Sequence, residues 1–320
     1  MYIKPVKDIW SGRTDSETDI RSFRYHQQVK MMEIQEDGEG ETASALLGFS
    51  CDEGVRRNEG RQGAAKAPLA VKQALAKLPW HLPESGIVYD AGNIACEGIN
   101  MEEAQEELGK AVSSLLKKNI TPIIIGGGHE TFYGHYQGAR EYIGEDAKLG
   151  IINIDAHFDM RPYDAQTSSG TMFRQILDQD KLANYLCLGI QQSGNTAALF
   201  DAAEHYGVKY LMEDQVSDGN LQSLFIEIDS FVQKCDALIL TLCMDSIDSS
   251  YAPGVSAPTP FGLHPKIVRK LVAYITSINK TLSFDLCEVN PELDEGGKTV
   301  SVAANMLHTA MMGFHKMRGV

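Results

Sequence analysis

The chain has 320 residues, 43% of them hydrophobic and 22% charged, with a formal net charge of −14. That length carries one large α/β domain or two small ones. The acidic balance argues against nucleic acid or an anionic membrane as the main partner, because both need basic patches. A small anionic substrate held by a few local arginines remains compatible with it.

The N-terminal stretch Met1 to Lys7 lacks an apolar core of signal-peptide length, and no stretch reaches the roughly 18 apolar residues of a membrane span. The cysteines at 51, 96, 187, 235, 243 and 287 are scattered, with no Cys-x-x-Cys pair. Their pattern predicts free thiols in a reducing, cytoplasmic setting. Residues 1–43 are polar and charge-rich, with Gly38, Glu39 and Gly40 near their end, and predict an extension that covers the domain without entering its core.

Over 44–320, short apolar runs alternate with helical patterns. Strands are predicted at 45–49, 87–90, 122–126, 149–155, 184–189, 208–211, 237–243 and 281–287. Helices are predicted at 66–77, 101–118, 132–143, 171–178, 196–206, 221–234, 265–277 and 298–316. In the second of these, Lys117 and Lys118 fall in the last turn, where the helix dipole favours cations. Such alternation implies an α/β fold with a mainly parallel sheet of about eight strands, covered on both faces. No repeat, low-complexity tract or linker interrupts 44–320, which reads as a single domain.

Three of these strands end in metal-type ligands. The run 149–154 leads into Asp155-Ala156-His157-Phe158-Asp159, with ligand types at i, i+2 and i+4. In an extended strand that spacing points all three to one face. Charge left uncompensated there is costly, and a cation removes the conflict. The run 236–242 leads into Cys243 and Asp245, again at i, i+2. The run Pro122 to Ile125 ends in Gly126-Gly127-Gly128-His129-Glu130, whose glycines allow a tight turn and a close backbone approach. In open parallel sheets, ligands bind at this C-terminal edge.

Taken together, the motifs resemble those of the arginase/agmatinase (ureohydrolase) family. The matching segments are Asp52 to Ala64, Gly126 to Glu130, Asn153 to Asp159, Ser169-Gly170-Thr171-Met172-Phe173-Arg174, Met244 to Asp248, Ala252-Pro253-Gly254 with Ala257-Pro258, and Glu288-Val289-Asn290-Pro291. They span roughly 45–315 in order. The resemblance implies a three-layer α/β/α arginase-like fold and a hydrolase with two Mn²⁺ per subunit that cleaves a C–N bond of a guanidine or amidine. Carboxylates, imidazoles and water suit Mn²⁺, and two ions about 3.5 Å apart can share a water and lower its pKa toward neutrality.

By the same resemblance, His129, Asp155, Asp159 and one residue of the Asp245 segment hold one metal. His157 and Asp245 hold the other, with Asp155 bridging. Asp159 or a nearby acid moves the proton to the leaving amine. Glu288 receives the planar N–C–N cation, which can donate two parallel hydrogen bonds to a carboxylate. Asp164 and Asp248 are candidates for supporting the ligands from behind. The other histidines, His135 included, read as packing or surface residues.

Two departures from the family pattern matter. Cys243 stands where most members carry the first aspartate of an Asp-x-Asp pair. It either ligates as a thiolate or leaves the site one hard ligand short. Arg161 stands where arginases carry an asparagine, and Arg57, Asn58 and Arg174 lie in neighbouring motifs. Such arginines suggest an added substrate carboxylate. These features resemble the formimidoylglutamase branch of the family, which implies hydrolysis of N-formimidoyl-L-glutamate to L-glutamate and formamide. Agmatinase- or guanidinobutyrase-type chemistry is the alternative, and a non-catalytic anion-binding α/β module is a remote one. The resemblance also implies a homo-oligomer.

Overall fold

Buried parallel strands read as continuous apolar runs, and all eight of the predicted runs form strands. The structure is a computed structural model that describes residues 1–35, 43–98, 100–164 and 166–318. In chain order the elements are β1 (Tyr2–Ile3), α1 (Tyr25–Gln28), β2 (Lys30–Met31), β3 (Ala43–Ser50), α2 (Glu53–Arg57), α3 (Ala67–Leu75), β4 (Ile87–Ala95), α4 (Met101–Lys117), β5 (Ile120–Ile125), α5 (Thr131–Ile143) and β6 (Leu149–Ile154). Then follow α6 (Met172–Gln179), β7 (Ala183–Ile190), α7 (Ala197–His205), β8 (Lys209–Met212), α8 (Leu221–Val232), β9 (Ala237–Cys243), α9 (Pro265–Thr276), β10 (Thr281–Cys287) and α10 (Lys298–Arg318).

One ten-stranded sheet runs β1-β4-β3-β5-β10-β9-β6-β7-β8, with β2 also paired to β4. Every pairing is parallel except that of β1 with β4. The alternation of side chains loads both faces. Leu238, Leu240 and Leu242 join a cluster with Leu271 and Leu307 of α9 and α10. Ile239, between them, joins Phe132 and Phe173 of α5 and α6 on the opposite face. Helices therefore cover both faces, giving the three layers.

Two strands exceed the expected eight, and both come from the first 35 residues. The same segment contributes more than a cover, because Trp10 and Tyr25 enter a core cluster beside Leu46 and Val71. Trp10 Nε1 donates to Asp90 Oδ2 at 2.8 Å, and Lys72 Nζ donates to Asp90 Oδ1 at 2.7 Å. Polar composition hid this role because the apolar residues that anchor the segment are few and widely spaced. Gly38, Glu39 and Gly40 lie outside the described residues.

The order β5-β10-β9-β6 is the feature that builds the site. These four strands are contiguous in the sheet, and each ends at the same edge. At a spacing of about 4.8 Å, β5 and β6 lie about 14 Å apart. The loops that follow them must lean inward over β10 and β9 to meet.

Candidate metal centre

The Gly126–Gly128 turn makes that inward reach possible. A Cβ on Gly127 would run into the Cys51 carbonyl oxygen. Gly128 N–H donates to that same oxygen at 2.9 Å, so the turn lies flat against the end of β3. It delivers His129 across the sheet edge, where its Nδ1 lies 3.1 Å from Asp155 Oδ2 and 3.0 Å from Asp159 Oδ2.

From the other side, β6 stops at Ile154, and the chain bends at Ala156 and His157 instead of continuing as extended strand. The convergence of Asp155, His157 and Asp159 comes from that bend, not from one strand face as the spacing predicts. Asp159 adopts φ 49°, in the left-handed region that a non-glycine residue enters only when its surroundings fix it. His157 Nδ1 lies 3.3 Å from Asp245 Oδ2 and 3.6 Å from Asp155 Oδ1.

Two ligand groups result. His129, Asp155 and Cys243 offer atoms within 4.8 Å of one another, and so do Asp155, His157 and Asp245. Asp155 belongs to both. Cys243, at the end of β9, thus stands within the first group, where a ligand is needed, and Asp159 reaches the same His129 nitrogen.

The electrostatics are those of a site built for cations. Asp155, Asp245 and Glu288 are buried, and Asp159 is half-buried beside them. Asp245 Oδ1 is buried with no hydrogen-bond partner. Burial opposes charging of the two histidines, yet Asp155 and Asp159 raise His129 well above its ordinary range, and Asp245 and Asp155 do the same for His157. Burial, then Asp155, Asp245 and Glu288, push the Cys243 thiol far up. Without a cation the thiol keeps its proton; a bound metal inverts that balance. The donor set of carboxylates, imidazoles and one thiol fits a pair of divalent transition ions.

Glu288 follows β10 with φ 69°. Its backbone N–H donates to Gly127 O, and its Oε1 accepts from His129 N–H, both at 2.8 Å. One oxygen thereby holds the metal loop, and the side chain still lines the cavity above the ligands. That cavity holds about 100 Å³ and is lined by Asn58, Arg161, Ser169, Asn195 and Ser256 besides the candidate ligands.

Hydrogen bonds tie the early motif to the Asn290 motif and to the segment that carries Ser256. Asn290 Nδ2 donates to Arg61 O and Gln62 O at 3.1 and 2.9 Å. Arg61 in turn donates to Ser256 O and Val255 O, both at 2.9 Å.

Among the proposed substrate residues, Arg161 and Asn58 line the cavity, whereas Arg57 and Arg174 stand outside it. Arg57 is ion-paired with Glu53 and Glu102 and donates to Thr167 O at 3.2 Å. It buttresses the loop that carries Ser169. Arg174 lies 3.9 Å from Asp178 and sits over the Tyr206 ring. Asp164 is exposed, and Asp248 Oδ1 accepts from Ser250, so neither backs a ligand. His135 is fully buried and hydrogen-bonded, not at the surface.

One cavity residue carried no signal in the sequence. Asn195 Oδ1 accepts from Phe158 N–H at 3.0 Å, and Nδ2 donates to Ala156 O at 2.9 Å. It thus clamps the backbone on both sides of His157.

The fold and these strand ends define an α/β protein with a two-cation centre at the sheet's C-terminal edge. The model of the arginase family matches residues 42–313, and the chain belongs to that family. A formimidoylglutamase of Geobacillus sp. (strain WCH70) is 57% identical over 317 residues, covering 99% of this chain and 98% of the relative. The crystal structure of Trypanosoma cruzi formiminoglutamase with two Mn²⁺ superposes with a TM-score of 0.78 at 26% identity, covering 88% of this chain and 96% of that one. The formimidoylglutamase of Bacillus subtilis subsp. subtilis str. 168 has the same fold, with a TM-score of 0.83 at 24% identity and 95% of each chain covered.

Proposed function

We propose that this chain is a manganese-dependent hydrolase that converts N-formimidoyl-L-glutamate to L-glutamate and formamide, a step of histidine breakdown. The observation that carries the reading is the pair of ligand groups sharing Asp155 beneath a cavity with Glu288 at its floor and Arg161 in its lining. The relatives named for this activity, one of them crystallised with two Mn²⁺, support it.

His129, Asp155, Cys243 and Asp159 would hold one ion, and Asp155, His157 and Asp245 the other. Two such ions, when bound, would lower the pKa of a water and so supply a nucleophile at neutral pH. The chain's own residues do the rest. Glu288 holds the amidinium by charge-assisted hydrogen bonds and presents its carbon to the ligand edge. Asp159 lines the cavity beside His129, where its carboxylate would take a proton and return it to the leaving nitrogen.

Arg161 makes no side-chain hydrogen bond or ion pair among the described residues, and its guanidinium is available to a substrate carboxylate. Asn58 and Ser169 add polar contacts. Agmatine carries no carboxylate to meet this arginine, which disfavours the agmatinase-type alternative.

We further propose that the chain folds as one domain, to which the first 35 residues add β1, β2 and the core side chains Trp10 and Tyr25. The protein is a homo-oligomer in this reading, which light scattering in solution would check. Its six free thiols fit a cytoplasmic setting, and no described helix is long and apolar enough to cross a membrane. The test of function is glutamate release from N-formimidoyl-L-glutamate by the Mn²⁺-loaded protein, with agmatine and arginine alongside. Turnover of a guanidine without glutamate release would overturn the substrate and keep the centre.

A further inference from the structure

Behind His129 runs a buried polar chain that the proposed chemistry does not use. His129 Nε2, the nitrogen turned away from Asp155 and Asp159, lies 3.0 Å from Thr241 Oγ1. Thr241 Oγ1 donates to Asp285 Oδ1 at 2.6 Å. The second oxygen of Asp285 lies 2.5 Å from His135 Nδ1, and His135 Nε2 lies 2.5 Å from Ser283 Oγ. Cys287 Sγ adds a third donor to Asp285, at 3.0 Å. Thr241 and Asp285 are register partners on β9 and β10, and all of these groups except His129 at 1% are 0% exposed.

A buried carboxylate persists only when its oxygens are satisfied. Asp285 meets that condition with three donors, so the strand interior holds it as a fixed acceptor. The Thr241 hydroxyl has one proton, and Asp285 takes it. Toward His129 the hydroxyl oxygen can then only accept. In the neutral form that binds a metal, His129 must then carry its one proton on Nε2, which leaves the Nδ1 lone pair facing Asp155, Asp159 and Cys243. A metal requires that tautomer and that ring orientation.

We propose that Thr241, anchored on Asp285 and through it on His135, is a positioning residue that fixes His129 as an Nδ1 ligand and sets metal affinity at that half of the centre. The inference rests on the two-metal reading above.

The test compares Thr241→Val, which keeps the shape and loses the hydroxyl, with Thr241→Ser, which keeps the hydroxyl. Mn²⁺ affinity is read by chelator competition, and metal per chain by elemental analysis, with the unmodified protein measured first. Thr241→Val is expected to weaken one of the two ions by about ten- to hundredfold. Thr241→Ser is expected to restore it. Unchanged affinity in Thr241→Val, or equal loss in Thr241→Ser, would overturn the positioning role. An unmodified protein that binds no Mn²⁺ sinks the two-metal reading itself, so the two failures are distinguishable.

If Thr241→Val does not fold, the zinc-loaded unmodified protein decides by nitrogen-15 NMR. A proton on His129 Nε2 that exchanges slowly supports the role. A proton on Nδ1, or one exchanging as fast as free imidazole, defeats it.

Discussion

Two buried charge clusters in this molecule have opposite fates. Around Lys72 and Asp90, 1% and 0% exposed, one positive charge meets one negative charge, and the polar atoms around them are used. Lys72 Nζ also donates to Gly92 O at 2.9 Å, while Asp90 accepts from Trp10 and from Gly92 N–H. Around Asp155, four carboxylates (Asp155, Asp159, Asp245 and Glu288) face two imidazoles, and one Asp245 oxygen has no partner. The balanced cluster ties the N-terminal segment to the sheet. The unbalanced one is complete only with added cations, and that imbalance marks it as the working site.

The comparison is broken most directly at Asp155, the ligand common to both groups. Asp155→Asn should cost both metals and reduce turnover to background while the fold survives. Elemental analysis and circular dichroism read the two separately; retained metal would contradict the shared-ligand geometry. Lys72→Met is the matching change in the balanced cluster. It strands a buried Asp90 and should cost about 3–5 kcal/mol of stability. Metal per folded chain should not change, and denaturant titration with metal analysis would show whether the clusters are this separate.

Cys243→Ser sharpens the comparison from inside the site. Loss of the thiolate should weaken one ion by more than the roughly 10- to 100-fold typical of a group behind a ligand. Unchanged metal stoichiometry would make Cys243 a packing thiol. Arg161→Ala should raise KM for N-formimidoyl-L-glutamate by roughly ten- to hundredfold, the worth of a charged hydrogen bond, with both metals still bound. An unaltered KM would remove Arg161 from substrate recognition.

How much of this was legible beforehand follows the same physics. The inner strands were readable because parallel strands buried on both faces leave near-continuous apolar runs, whereas β8, four residues at the sheet edge with none buried, is the weakest of the eight. β1 and β2, two residues each, leave no run to detect. The convergence of the candidate ligands was readable because ligand-type residues at three strand ends are hard to explain otherwise. Arg57 and Arg174 were misplaced because a motif fixes chain position, not direction, and local carboxylates claimed both guanidiniums. Asn195 was missed because a loop asparagine holding backbone has no spacing signature. Asp285 was also passed over, although a carboxylate in the middle of the apolar strand 281–287 is itself a signal that a buried partner must exist.

The smallest effect expected is the pH dependence of the metal-free protein, and its sign separates the clusters again. His129 and His157 have pKa values raised in the folded state by their carboxylate neighbours. The stability they contribute is fully present below the unfolded histidine value of about 6.5 and is lost as pH rises through the raised values. Burial raises Glu130 to about 7. A raised acid binds its proton more tightly when folded, so stability falls between about 4.5 and 7 as that proton leaves. Asp155, opposed by burial but held low by His129 and His157, acts only at acid pH, where protonating it removes stability. The chelated protein should therefore melt at progressively lower temperature as pH rises from about 5 through 8. Mn²⁺ should reverse that trend, because the cations replace the protons the site has lost. Thermal melts across this range, with and without chelator, would decide: a chelated protein whose melting point rises with pH would mean that the carboxylates at this centre are balanced without metal.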